Sequence, residues 1–414
     1  MLRCTRSLTA ATAGAALTAF LATPSLALEA EEFGNALKSL AEKQSMTVEY
    51  DSIEVDGSDI VMSGLSFVPT AVAAAGENEP FRIESEVRFE GVEELDGGAY
   101  RVAKVGGEGI AGRFPEQEDS PVRGGYSIGA WAIEGMTLGG AEGSGDAAAA
   151  LASIGLFYDR MFIQDVAVDF DGADVFTMAS AEATSKAEGD TATFRATVDG
   201  LEVDLTTTPD PELKAWVEGT GYDTLRGSYE SEGTWSIATG LLDAPKNTLR
   251  FEEMGEFNMD LAIGGYTPEF MEGLQEVSRQ MNATTNDPQA QQAAGMQMLG
   301  LLSQLQFGRF NISYDDEGMT NRLFDYYAQE NGQTKDQLVQ QTIGILPLVL
   351  AQLRSPDLQA QVQEAVTSFM NDPQSFTISL EPDAPTPFPV LIGAAMASPA
   401  DLVNALNAKV TANQ

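Results

Sequence analysis

The chain has 414 residues with 62 acidic and 23 basic side chains, one cysteine and no histidine. Without histidine there can be no Ser-His-Asp triad, no Cys-His dyad, no histidine-ligated zinc and no imidazole acid–base chemistry. A formal charge of −39 repels nucleic-acid phosphate and bare anionic headgroups, so no nucleic-acid partner is expected.

The first residues, "MLRCTRSLTAATAGAALTAFLATPSLA", place Arg3 and Arg6 before an uncharged Ala/Leu-rich stretch that ends in Ser25-Leu26-Ala27. This pattern predicts an export signal cleaved after Ala27 and a periplasmic address. Cys4 precedes the apolar stretch, so the expected mature chain of 387 residues (414 − 27) carries no thiol, and its charge is 21 − 62 = −41. Such a chain must be held together by burial alone, which its length allows. The acids are dispersed, as on a solubilising surface. The longest later apolar run, Ile343 to Ala351, is interrupted by Pro347 and falls short of the ~20 residues of a membrane span, so no span is expected after cleavage.

Residues 28–266 are expected to be β-rich with short helices. Phe33, Leu37, Leu40 and Ala41 share one face of an opening helix. The period then shortens: Val48, Tyr50 and Ile53, then Ile60 and Met62, flank Asp56-Gly57 and predict a hairpin. A weak repeat follows. "YRVAKVGGEGI" (100–110) and "YSIGAWAIEGM" (126–136) share a Tyr, an aliphatic two residues later and a Glu-Gly pair, and "EGV" at Glu90 to Val92 repeats the end. Repetition of one strand-turn unit predicts a meander or an elongated groove. Helices are predicted after Asp146, as an N-cap, and from Pro211. Residues 222–265 predict a three-strand meander whose last strand alternates Phe257, Met259, Leu261 and Ile263.

Residues 267–414 are expected to be helix-rich. Thr267-Pro268 is a helix start ahead of Phe270, Leu274, Val277 and Met281, and Leu358, Val362, Ala365, Val366 and Phe369 form a later apolar stripe. "SFTISLEP" and "NAKVTAN" predict strands that complete the sheet. The fold class is therefore α+β, a long antiparallel groove-like β-meander packed with a helix-rich C-terminal half.

Several motifs touch on chemistry. "GYSIG" (125–129) fits the G-x-S-x-G nucleophile elbow, but Ser127 has no histidine to activate it, so it is expected to be a β-turn serine within the repeat. "GEGIAG" (107–112) fits G-x-G-x-x-G, yet the proline- and acid-rich text after it would neither form the required helix nor accept phosphate. No cofactor is expected. Asp169, Asp171 and Asp174 are weak calcium candidates, set against a hairpin turn at Asp171-Gly172. Asp315, Asp316 and Glu317 stand between a half-buried strand (Phe310, Ile312, Tyr314) and a helix face (Leu323, Phe324, Tyr327, Ala328). They are expected to form a strand-to-helix turn, with a cation or catalytic pair as the alternative.

The stretches "ISYDDEGMTNRLFDYYAQENG", "GYDTLRGSYESEGTWSIATGLLDAP" and "FMNDPQSFTISLEP" resemble uncharacterised signal-bearing periplasmic proteins of alphaproteobacteria and, more distantly, YdgA-like and AsmA-like envelope proteins. The resemblance implies a periplasmic address and, on the AsmA-like side, handling of lipid or other envelope components. It carries over no catalytic residue. The expected function is thus a non-enzymatic envelope protein binding an apolar, lipid-like ligand or an envelope partner, with the faces of 296–307 and 343–353 packing on the groove. The alternatives are a structural scaffold, or a carboxylate hydrolase such as a glycosidase using Asp316 with Glu252 or Glu253.

Overall fold

A computed structural model describes residues 29–414 apart from 45, 70–80, 84, 96–97, 115–123, 140–147, 149–150, 153–156, 209, 284–287 and 352–354. The export segment and the Asp146 cap lie outside the described residues. Helix α1 (Ala30–Lys43) precedes strands β1 (Met46–Glu49), β2 (Ser52–Asp56), β3 (Asp59–Ser63), β4 (Ser66–Pro69), β5 (Phe81–Arg82), β6 (Val87–Leu95), β7 (Ala99–Arg113), β8 (Gly124–Leu138), β9 (Arg160–Phe170), β10 (Ala173–Glu188) and β11 (Thr191–Asp204). Helix α2 (Pro211–Thr220) leads to β12 (Thr224–Ser236), β13 (Leu241–Phe251) and β14 (Gly255–Gly264). Helices α3 (Pro268–Ala283) and α4 (Pro288–Leu302) precede β15 (Gln306–Asp316). Then come α5 (Met319–Glu330), α6 (Lys335–Leu350), α7 (Pro356–Asn371), β16 (Ser375–Leu380), β17 (Thr386–Pro387), α8 (Phe388–Ala397), α9 (Pro399–Ala405) and β18 (Ala408–Ala412).

The architecture is α+β. One 15-stranded antiparallel sheet runs from β18 through β16 and β15 and then in reverse chain order to β6, β3 and β2, with β17 beside β15. Strands β1, β4 and β5 form a separate small sheet. The expected hairpin over 48–62 is therefore only partly formed. β2 and β3 pair across Gly57 (φ 69°), whereas Val48 in β1 pairs with Phe67 in β4.

Antiparallel pairing puts directly opposed residues on one face, so each face can be followed from strand to strand. One row runs Trp131, Ile163, Ala181, Val198, Tyr229, Leu249, Phe257, Tyr314 and Phe376 from β8 to β16. Displaced by one residue, the next row runs Ala132, Phe162, Glu182, Thr197, Glu230, Thr248, Asn258, Ser313 and Thr377. The first is apolar apart from the tyrosine hydroxyls; the second is mostly hydroxyl, amide and carboxylate. The sheet therefore has an apolar inner face and a polar outer one.

Along two lines the alternation changes step. Gly91 (φ 58°), Ala103 and Gly135 (φ 62°) lie side by side in β6, β7 and β8. Gly109 (φ 65°), Gly129, Asp165 (φ 51°), Ala179 and Gly200 (φ 63°) do the same from β7 to β11. Left-handed residues thus alternate with ordinary ones on neighbouring strands. Glycine adopts this conformation without a β-carbon penalty, and aspartate is among the few residues that tolerate it. At each line, inward-facing residues stand three apart instead of two. Phe89 and Val92, like Val102 and Val105, are all buried in one core, and Ile128 and Trp131 line one hollow.

Three packing units cover parts of the inner face. At the β6 to β8 end, Phe33 of α1 meets the Phe89 and Tyr100 rings edge-on at 5.1 and 5.4 Å. At one end of strands β11 to β14, Phe270 and Met271 of α3 pack with Ala192, Trp235, Leu242 and Ile263. At the β16 end, Phe369 of α7 sits on Tyr314 and Phe376, 6.2 and 5.6 Å away. Between these covers the row from Trp131 to Leu249 is only half-buried.

The second line is a steric requirement at Gly200, where an added Cβ would stand 2.7 Å from the Ala179 Cβ. Gly200→Val should destabilise the protein by about 1–3 kcal/mol, the combined cost of a left-handed β-branched residue and that clash. Chemical denaturation measures it, and pairing the change with Ala179→Gly should recover only the steric part.

Candidate functional site: an uncharged strip across the sheet

From β8 to β13 the inner face presents three rows of six residues. They are Ile133, Met161, Ala183, Ala196, Ser231 and Asn247; Trp131, Ile163, Ala181, Val198, Tyr229 and Leu249; and Ile128, Val166, Met178, Leu201, Gly227 and Phe251. None carries a charge, in a chain with 62 acids. A hollow of about 480 Å³ lies on this strip, walled by Ile110, Ile128, Trp131, Ile163, Ala181 and Val198, with Phe67 and Ile83 as an overhanging edge and Tyr229 at its far end. The volume is that of a small-molecule site, and the lining is the apolar kind such sites use. The Trp131 indole lies against Gly107, where an added Cβ would stand 3.3 Å from the indole nitrogen. That nitrogen is buried without a hydrogen-bond partner among the described residues.

A larger hollow, about 610 Å³, is lined by Lys186, Arg195, Glu232 and Asp243. Its cations are matched by acids, Lys186 by Glu188 at 2.5 Å and Arg195 by Glu232 at 2.5 Å, so it offers no free positive charge to an anion. Across the outer face Arg160 likewise pairs with Glu182 at 2.6 Å, and the arginine holds that carboxyl below its usual range by hydrogen bonding.

The acidic stretch is a strand-to-helix junction. Asp316 ends β15, and its Oδ2 accepts from the Gly318 N–H at 3.0 Å while Oδ1 accepts from the Thr320 N–H at 2.8 Å, satisfying donors that the start of α5 leaves free. Gly318 has φ 126°, outside the range open to other residues. The Tyr314 hydroxyl lies 2.7 Å from Asp316 Oδ1 and 2.6 Å from the Met254 carbonyl. Burial, then this bond to a carboxylate, pushes its pKa above the ordinary tyrosine value. Glu317 pairs with Arg250 at 2.7 Å, and Glu253 pairs with Arg322. Both oxygens of Asp316 are engaged in holding the turn; of its two suggested partners in hydrolysis, Glu253 is engaged with an arginine and Glu252 is exposed.

Asp169 is the last residue but one of β9, and Asp171 (φ 51°) and Gly172 (φ 82°) make a two-residue turn into β10, with Asp174 paired back to Asp169. Both turn residues have positive φ, as a type I′ hairpin requires. The described residues contain no group of three acidic, histidine or cysteine side chains placed to hold a metal ion, either here or at 315–317. Ser127 lies within β8 near its start, opposite Ala111 and Ala167, and not in a turn as its sequence context suggested. Gly107 to Gly112 lie within β7. Among the described residues none after Tyr229 lines the hollow; of the face 296–307, Leu301, Leu302 and Leu305 pack with Trp235 and Phe270 at one end of the sheet, while Met296 and Leu348 are 69% and 78% exposed.

A family model described as "Uncharacterized protein" matches residues 248–413, from β13 to the end of the sheet. No curated protein matches the chain. No helix among the described residues is long and apolar enough to cross a membrane.

Asp316→Ala should cost about 1–2 kcal/mol, the usual price of a lost helix cap, whereas Asp315→Asn and Glu317→Gln should each change stability by less than ~1 kcal/mol because their side chains are exposed. Urea titration separates the two cases. Because the folded protein favours neutral Tyr314, that group's contribution is complete below the unfolded tyrosine value of about 10. It is lost as the pH rises beyond that. Tyr314→Phe should therefore flatten the alkaline limb of stability against pH.

Proposed function

We propose that the protein is a non-enzymatic protein of the cell envelope that binds a lipid-like amphiphile on the inner face of its sheet. The observation that carries this reading is the uncharged strip. Half-buried apolar residues spanning six strands cost solvation free energy at about 25 cal/mol per Å² until something apolar covers them. A ligand of long, narrow shape fits a strip that runs from strand to strand and meets the α1 core at its β8 end. The N-terminal pattern of Arg3, Arg6 and the apolar run ending at Ala27 supports a periplasmic setting.

Apolar side chains exposed on α4, α6 and α8, Met296, Leu348 and Met396 at 69%, 78% and 84% exposure, are further apolar surface in keeping with an envelope partner. The engagement of Asp316 and Glu253 weighs against the hydrolase alternative.

The neutral dye Nile red should brighten on binding the wild-type protein, and Ala181→Glu, which sets a carboxylate in the middle of the strip, should weaken binding at least about tenfold. Organic extraction of protein isolated from the envelope fraction, followed by mass spectrometry, should release a stoichiometric amphiphile. Dye binding indifferent to Ala181→Glu, together with an empty extract, would sink the proposal.

A further inference from the structure

The inner strip has one polar place. In β12 and β13, where the hollow ends, the Asn247 amide oxygen accepts from Ser231 Oγ at 2.8 Å and, more loosely, from the Tyr229 hydroxyl at 3.5 Å. The Asn247 amide nitrogen donates to the carbonyls of Ala244 and Met259 at 3.2 and 3.1 Å, which the register shift in β13 brings within reach. All three side chains are half-buried. Beyond them the same row turns apolar again at Met259, Ile312 and Ile378. A hydrogen-bonded cluster midway along an apolar face needs no such residues for packing, and it stands where an amphiphile's tail would end.

Resting on the reading of the strip as a lipid-like site, we infer that Tyr229, Ser231 and Asn247 receive the ligand's head, and that this head is uncharged and donates hydrogen bonds, as an alcohol or amide does. The donors of the cluster are already directed at Asn247 Oδ1 and at two carbonyls, so what remains to offer a ligand is the lone pairs of the two hydroxyls. Acceptor capacity matches a donor head and not a phosphate or carboxylate, which needs donors and would have no cation beside it. Lys246 and Arg195, the nearest basic residues in the register, are directed to Glu230 and Glu232 on the outer face. A cationic head would find no carboxylate in the three rows. From Tyr229 in β12 to Trp131 in β8 there are four strand spacings, roughly 19 Å at about 4.8 Å each, a length suited to one extended acyl tail ending under Phe67 and Ile83.

The test compares monopalmitoylglycerol, whose head donates, with methyl palmitate, whose head only accepts, and with palmitate, each displacing Nile red from the wild type and from the double variant Tyr229→Phe/Ser231→Ala. The expected result is that the wild type prefers monopalmitoylglycerol to methyl palmitate by about tenfold, the worth of two neutral hydrogen bonds, and to palmitate by at least as much. In the double variant the preference over methyl palmitate should fall below about twofold, with methyl palmitate itself bound as before. Equal binding of the two neutral ligands by the wild type, or a preference that survives in the variant, overturns the head assignment while leaving the strip as a tail site. Failure of all three to displace the dye, or no dye binding at all, overturns both readings.

Discussion

Everything in this structure depends on the cross-strand register of one long antiparallel ladder. Because opposed residues share a face, each residue's orientation is inherited by its neighbours, and a slip of one residue would exchange the apolar and polar faces throughout. The two crossing lines are the exception the sheet accommodates. A left-handed residue in every second strand, with a small residue between, moves the inner face on by three positions without breaking the pairing on either side. Gly91 and Gly135 straddle Ala103, and Asp165 and Gly200 straddle Ala179, so the step occurs together in neighbouring strands. Stepped in one strand alone, it would set an apolar row against a polar one.

This register also sorts charge. Ion pairs such as Arg160–Glu182 and Arg195–Glu232 fall on the outer face. Each is partly exposed and worth little singly, but together they keep the basic residues off the inner strip. The surplus of acids keeps the outer surface hydrated and repels anionic partners. An acidic protein repels anionic ligands before any specific contact is made.

Covering elements decide how much of the strip remains open. Phe33 and Phe369 occupy corresponding roles at opposite ends of the sheet, each an aromatic ring from a helix set edge-on against rings of the inner face. Edge-to-face pairs of this kind contribute about 0.5–1.5 kcal/mol beyond area burial. Among the described residues no such helix covers the middle, and there the Tyr229, Ser231 and Asn247 cluster interrupts the apolar row.

The sequence alone determined a good deal. Absent histidine excluded imidazole chemistry, Asp-Gly at 171–172 specified a hairpin, and a strand, an acid, a glycine and a helical face around Asp316 specified the junction, because these are local preferences of a few residues. The Glu-Gly repeat was visible at 90–91, 108–109 and 134–135, but its meaning was not: all three glycines are left-handed, Gly91 and Gly135 on one line and Gly109 on the other, and those lines exist only once the strands pair. For the same reason Ser127 was misplaced in a turn, and the apolar strip, whose period switches from two to three at the lines, could not be followed along any one strand. Whether an apolar helix face covers the sheet or faces outward is set by distant partners. Tertiary structure alone therefore decided that Leu301, Leu302 and Leu305 pack at one end of the sheet while Met296 and Leu348 face outward, since burial is a property of what packs against a residue and not of the residue itself.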